Sequence, residues 1–184
     1  MSRELMSRYR TTIIEDFIKI EGYVTAIICK HYLGYVGKEF MLDILFDELC
    51  STGLKANILG KTLVHYVEVK DARKCVEKFR KAARIRNYFA HCNTTFSETG
   101  LDCAPSGIPD PRQPSEFLDI EKAISSFTEI INTMSADMLD IMDKMGILFI
   151  EDTDKGVVEL IFEDHLIKST SKDDVTAKTN NEQK

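Results

Sequence analysis

Residues 68–92 read EVKDARKCVEKFRKAARIRNYFAHC, and their pattern decides the fold class. Val69, Ala72, Val76, Phe79, Ala83 and Ala90 fall at the spacing of one face of an α-helix, which predicts an amphipathic helix from Glu68 to about Cys92. Its polar side is basic: from Lys70 to Arg86, the cations Lys70, Arg73, Lys74, Lys78, Arg80, Lys81, Arg84 and Arg86 are opposed only by Asp71 and Glu77. Such a helix is either a solvated face or a local site for an anion, since binding responds to where charge sits. Arg86 breaks the pattern. It lies on the apolar stripe, three residues after Ala83 and four before Ala90. A guanidinium on a core-facing stripe is costly unless it is paired or faces a cleft. Conflicts of this kind between pattern and residue concentrate at functional sites.

The same helical period extends outward in both directions. From Glu4 to Tyr32, Leu5, Tyr9, Ile13, Phe17, Ile20, Val24, Ile27 and Ile28 form one face of a long helix that Gly34 and Gly37 end, with Glu15, Asp16, Lys19 and Glu21 facing solvent. His31 reads as a charge partner at the end of that helix. Lys38 to Cys50 reads as a second helix, broken at Ser51-Thr52-Gly53, and Leu54 to Tyr66 as a third with Leu54, Ile58, Leu59, Leu63 and Tyr66 inward. His65 is a surface or interface residue. Residues 97–115 hold all four prolines and read as a loop. A fifth helix opens at Ser115-Glu116 and runs to about Met145, its apolar face built from Phe117, Ile120, Ile124, Phe127, Ile130, Ile131, Met134, Met138, Leu139 and Met142. Gly146 stops it. The period then shortens: Ile147–Ile150 and Val157–Phe162 flank Asp152-Thr153-Asp154-Lys155-Gly156, the signature of a β-hairpin. The expected architecture is mainly α, an up-and-down bundle of about five helices in a single domain of residues 1–168, with a small C-terminal hairpin at 147–168. Residues 169–184 are a polar tail expected to be disordered.

Composition narrows the classes. With 43% apolar and 29% charged residues in 184, the chain is that of a globular domain with a sizeable core. A net charge of −6 argues against a generic nucleic-acid coat. No run approaches the ~18 apolar residues of a membrane span, and no secretion signal is expected at the N-terminus. The five cysteines (29, 50, 75, 92 and 103) are spread without metal-site spacing, so free thiols in a reducing cytoplasm are expected. No glycine-rich phosphate loop, cofactor box, metal cluster or Ser-His-Asp arrangement is present in the sequence, and no cofactor is expected.

The end of the basic helix carries Arg86-Asn87-Tyr88-Phe89-Ala90-His91. It sets an always-charged guanidinium five residues before an imidazole that titrates near neutral pH. This motif resembles the hallmark of the HEPN superfamily of helical-bundle proteins: an arginine, four to six intervening residues and a histidine, often beginning Arg-Asn and ending Ala-His. The helical part, roughly Glu4 to Met145, is similar to the HEPN plan, with two long helices flanking shorter ones and the motif closing the helix before a variable loop. Arg84 also satisfies the looser spacing to His91, but Asn follows Arg86, as in the family pattern, and Arg86 is favoured. Some family toxins carry a tyrosine two residues after the histidine, which a partner modifies; this chain has Asn93 there, which leaves that control mechanism in doubt.

The resemblance implies a metal-independent endoribonuclease that works as a homodimer, in the setting of a toxin with its antitoxin or of antiviral defence. The RNA 2′-hydroxyl attacks the adjacent phosphate and leaves a cyclic 2′,3′-phosphate. His91 then serves as general base or acid, Arg86 holds the charge that develops on phosphorus, and Asn87 orients His91 or bonds the phosphate. Lys78, Arg80, Lys81 and Arg84 would track the RNA backbone. On an ideal helix Arg86 and His91 diverge by roughly 140°, a problem that a composite site between two protomers removes. The alternatives are a non-catalytic helical interaction module that binds a protein partner, and an RNA-binding regulator that does not cleave. The family itself contains non-catalytic members.

Overall fold

The computed structural model describes residues 3–47, 49–91, 107–110, 113–152 and 157–160. The chain is mainly helical. Helix α1 spans Arg3–Leu33, a short α2 spans Lys38–Phe40 and runs into a π-helical turn at Met41–Leu45, α3 spans Thr52–Leu63, α4 spans Val69–His91 and α5 spans Ile120–Lys144. Strand β1 (Gly107–Asp110) pairs antiparallel with β2 (Gln113–Asp119), and β3 (Phe149–Asp152) with β4 (Val157–Leu160). Residues 153–156 and 161–168 of the expected hairpin segment and the 169–184 tail lie outside the described residues.

Helix α1 is the axis of the bundle, packing on α3, α4 and α5, while α4 also packs on α3 and α5. Of the apolar positions read from α1, Ile13, Phe17, Ile20, Val24, Ile27 and Ile28 are buried, Tyr9 is partly buried and Leu5 is 40% exposed, while Met6, Tyr23, Ala26 and Cys29 are buried in addition. Phe17 of α1 and Phe79 of α4 stack with ring centroids 5.6 Å apart and planes 11° from parallel. Helix α5 closes the core with Phe127, Met134, Met138 and Met142. Each fully buried side chain of this size stabilises by about 1.5–3 kcal/mol relative to exposure, and these layers hold α4 rigidly against its neighbours.

Local chemistry sets the ends. Gly34 adopts φ +81°, the left-handed conformation that terminates α1. Next to it, Gly37 N–H donates to the buried Cys29 Sγ at 3.3 Å, which ties the following loop to the helix. The expected second helix, Lys38 to Cys50, is shorter than its pattern suggests. Phe46 N–H donates to Met41 O at 2.8 Å, an i to i+5 bond that widens the turn. Within the turn Met41 and Leu45 are buried, with Phe40 and Cys50 partly buried on either side, while Leu42, Ile44, Phe46 and Leu49 are 53%, 53%, 40% and 90% exposed. Ser51 caps α3 instead of simply breaking the chain: its hydroxyl accepts from Leu54 N–H at 3.2 Å, so the helix begins at Thr52. Leu54, expected inward, is 45% exposed, and Lys55 takes the buried position beside it. Helix α5 starts at Ile120, five residues later than the expected Ser115. Residues 113–119 pair with β1 instead, and the Asp119 carboxylate caps the helix by accepting from Lys122 N–H at 3.1 Å. Gly146 follows the C-cap residue Met145 in the left-handed region, φ +67°.

Candidate functional site

Helix α4 runs unbroken to His91, so every residue of the motif stands on one helix. Its buried stripe differs in detail from the sequence reading. Val69 is 52% exposed and Ala90 is exposed; the core stripe is Ala72, Cys75, Phe79, Ala82, Ala83 and Phe89, and Ile85 and Tyr88 are buried beside it toward the end of the helix. Arg86 falls within that stripe, between the buried Ala82 and Ala83 and the buried Phe89. Its side chain is half-buried and its guanidinium carbon lies 4.7 Å from the centroid of the Phe17 ring. Among the described residues it has no hydrogen-bond or carboxylate partner. The ring face supplies part of the stabilisation that a counter-ion would otherwise give.

Asn87 is exposed. His91 is the terminal residue of α4, one turn beyond Asn87 on the same face. Because the helix does not loosen before His91, the Arg86 and His91 positions remain about 140° apart around its axis. A single protomer does not bring them to one face. The expected RNA-binding residues separate likewise. Arg80 and Arg84 are exposed and share the face of Asn87 and the His91 position, since residues 80, 84, 87 and 91 are three or four apart. Arg80 donates to Asn57 Oδ1 of α3 at 2.6 Å. Arg84 Nε donates to the hydroxyl of Tyr88 at 2.6 Å, and its guanidinium carbon lies 5.5 Å from the Tyr88 ring centroid. Tyr88 is 5% exposed and steadies Arg84. Lys81 is exposed and turned toward the neighbouring side of the helix. Lys78 belongs elsewhere: its ammonium pairs with Asp137 of α5 at 3.1 Å and bridges two helices.

The structure also brings together groups that periodicity did not select. Arg73, two turns before Arg80, is exposed and belongs to the same face, which the seven-residue spacing in the sequence would have revealed. Lys55, 3% exposed, pairs with Glu21 at 2.9 Å, and its ammonium lies 4.9 Å from the centroid of the Phe46 ring. Glu21 is therefore turned toward α3, not solvent. His31 and His65 stack with centroids 5.0 Å apart, and His31 Nδ1 lies 3.0 Å from the Tyr66 hydroxyl, joining the ends of α1 and α3. Cys75 is buried at the base of a cleft between α4 and α5, and burial, reinforced by the nearby Asp137 carboxylate and only partly offset by Lys78, pushes its thiol up to about 12. That thiol is a packing group, not a nucleophile. Among the described residues no three His, Cys, Asp or Glu side chains group as metal ligands, and no helix is long and apolar enough to cross a membrane.

Comparison of the chain with family models, curated proteins and solved structures gives no match.

Proposed function

We propose that the chain is a HEPN-type, metal-independent endoribonuclease whose active site is composed across a homodimer, in the role of a toxin or defence effector. The observation that carries this reading is Arg86. It is a half-buried cation on the core stripe of α4, held over Phe17, with no carboxylate against it among the described residues. A half-buried arginine without an acidic partner adds little to the stability of a bundle. An arginine kept for a transferred phosphate needs no such partner. In the proposed reaction Arg86 bonds the non-bridging oxygens of the scissile phosphate and stabilises the charge that grows on them. His91 removes the proton of the 2′-hydroxyl as that oxygen attacks phosphorus. The bond from phosphorus to the 5′-oxygen of the next nucleotide breaks, that oxygen takes back the proton held by His91 as it leaves, and the product end is a cyclic 2′,3′-phosphate. Asn87, one turn before His91, orients the imidazole. The angle between the Arg86 and His91 positions supports pairing each with its counterpart from a second copy in one shared cleft.

The test is incubation of purified protein with RNA in EDTA, beside Arg86→Ala and His91→Ala. Cleavage that persists under chelation, leaves cyclic phosphate ends and disappears in both folded variants is the expected result. Intact RNA with the parent protein across varied substrates removes the enzymatic reading. A second reading, a non-catalytic interaction module, draws on a different feature: Leu42, Ile44, Phe46, Leu49 and Leu54 stand exposed along the α2–α3 connection, where a protein partner would find an apolar surface.

A further inference from the structure

A cleft of about 460 Å³ lies between α3 and α4, and its floor is made of small and apolar side chains, Ala56, Gly60, Ala72 and Val76. The helices approach closely there: a Cβ at Gly60 would stand 3.3 Å from Val76 Cγ2. The rim is cationic. Arg73 and Arg80 wall the α4 side, opposed by Glu77, and Lys61 stands on the α3 side. Arg73 and Lys61 have no ionic partner among the described residues. The Arg80 hydrogen bond to Asn57 spans the two helices and fixes its guanidinium at the cleft edge.

The arginines of this rim continue toward the motif. Residues 73, 80 and 84 lie within about 40° of one another around α4, and so does the His91 position. The rise of a helix spaces them about 10 Å and about 6 Å apart along its axis, steps of about two and one backbone phosphates. A straight row of arginines beside a narrow apolar floor fits a strand whose bases are unpaired. On such a path the phosphates would meet the cations, and the bases would rest against Ala56, Ala72 and Val76 without an aromatic platform. We infer that a single strand of RNA lies along the α3–α4 cleft with its phosphates on Arg73, Arg80 and Arg84, and passes from there to the His91 end of α4. The inference rests on the ribonuclease reading for the kind of polymer bound. It adds the strandedness, the path and Arg73 as a binding residue.

The test separates binding from cleavage by using His91→Ala protein, which holds RNA without cutting it. Fluorescence anisotropy with a labelled single-stranded 12-nucleotide RNA of mixed sequence is followed from low to moderate salt. Adding Arg73→Ala and Arg80→Ala together is expected to weaken binding tenfold or more. The slope of log affinity against log salt should fall by about 1.4, near 0.7 for each phosphate that is no longer neutralised. Lys19→Ala, a charge removed from the exposed side of α1, should leave the slope unchanged. Duplex RNA of equal length should compete poorly. An unchanged affinity and slope in the folded double variant overturns the inference, as does a failure of the His91→Ala protein to bind any single strand. Binding of an acidic amphipathic peptide through the same arginines, with no RNA bound, would overturn it in favour of a protein partner. Arginine-dependent RNA binding by a parent protein that cuts nothing upholds the strand path and overturns the ribonuclease reading.

Discussion

Replacing Arg86 with methionine separates a residue kept for chemistry from one kept for stability. Methionine retains an unbranched apolar stem of similar reach and removes the charge. The wild-type guanidinium gains from the Phe17 ring, 4.7 Å away, an interaction of about 0.5–2 kcal/mol depending on how dry the site is. Against that stands the cost of holding a cation part-way out of water on a stripe otherwise made of Ala82, Ala83 and Phe89, which for a fully buried ion amounts to several kcal/mol. Arg86 is half-buried, so the penalty is a fraction of that, comparable to the ring interaction. The two terms nearly cancel, and methionine adds contact with the apolar atoms around it. Arg86→Met is therefore expected to unfold within about 1 kcal/mol of the parent, or to be more stable by that amount, and under the proposed mechanism it should cleave no RNA. Had Arg86 been half of a buried ion pair, its removal would cost about 3–5 kcal/mol.

Urea unfolding followed by far-ultraviolet circular dichroism reads this difference, with parent and variant at the same chain concentration, since a dimer's midpoint depends on concentration. A loss above about 3 kcal/mol would refute the reasoning, because it would mean that the guanidinium satisfies an anion and is part of the scaffold. A stable variant that still cleaves RNA would refute the assignment of Arg86 to the chemistry and move attention to Arg84.

Lys55→Ala should destabilise by about 3–5 kcal/mol, because it leaves Glu21 half-enclosed without its cation, whereas Lys55→Met with Glu21→Leu should recover most of that in the same urea assay. Cys75, with its thiol pushed up to about 12, should resist a thiol reagent at pH 8 in the folded protein and react once urea unfolds it; rapid labelling of Cys75 in the native state, located by mass spectrometry, would contradict its burial. Asp16 has its carboxyl raised above the usual range, first by burial and then by Glu15, with Lys19 opposing. A raised carboxyl favours folding below its unfolded value and loses that contribution as pH rises through the folded one. Asp16→Asn should accordingly raise the melting temperature at pH 7 and leave it little changed near pH 3; equal shifts at both pH values would count against burial as the cause.

Helical periodicity makes most of the bundle legible, because burial of one face leaves its mark every three or four residues. The alternations of Ile13, Phe17, Ile20 and Val24, and of Phe127, Ile130, Met134 and Met138, correspond to core positions in the structure. What escapes depends on atoms outside the pattern. Ser51 can be read as a breaker or a cap, and only the Leu54 N–H in its hydroxyl's reach decides. The apolar run from Phe40 to Leu49 carries no trace of the i to i+5 bond that turns half of it outward. Lys55 has the composition of a surface residue, and its burial needs Glu21, which is 34 residues away in the chain. Helix α5 begins later than its apolar pattern because residues 113–119 have a partner strand that sequence order alone does not name.

The candidate site is legible in a different way, through an exception instead of a pattern. On α4, Arg86 is the one cation within a stripe of buried side chains, and the stripe's true members, Cys75, Ala82 and Phe89 among them, set it deeper in the core face than periodicity alone places it. This deepening strengthens the argument for a dimer. The farther Arg86 turns into the bundle, the less it can share a surface with Arg73, Arg80, Arg84 and the His91 position on the opposite side of the same unbroken helix. A monomer would have an arginine row that delivers a phosphate to one side and a guanidinium waiting on another. Two copies with α4 ends crossing can set the Arg86 edge of one beside the His91 edge of the other, which makes chain concentration a variable of the chemistry. Under the proposed mechanism, specific activity should rise with protein concentration through the monomer–dimer transition measured by sedimentation. Mixing Arg86→Ala with His91→Ala protein should restore part of the activity in the heterodimers, one of whose two sites keeps an intact Arg86 and His91 if each site draws on both chains in trans. No recovery in verified heterodimers would rule out that trans pairing and leave the divergence along α4 as an argument against catalysis.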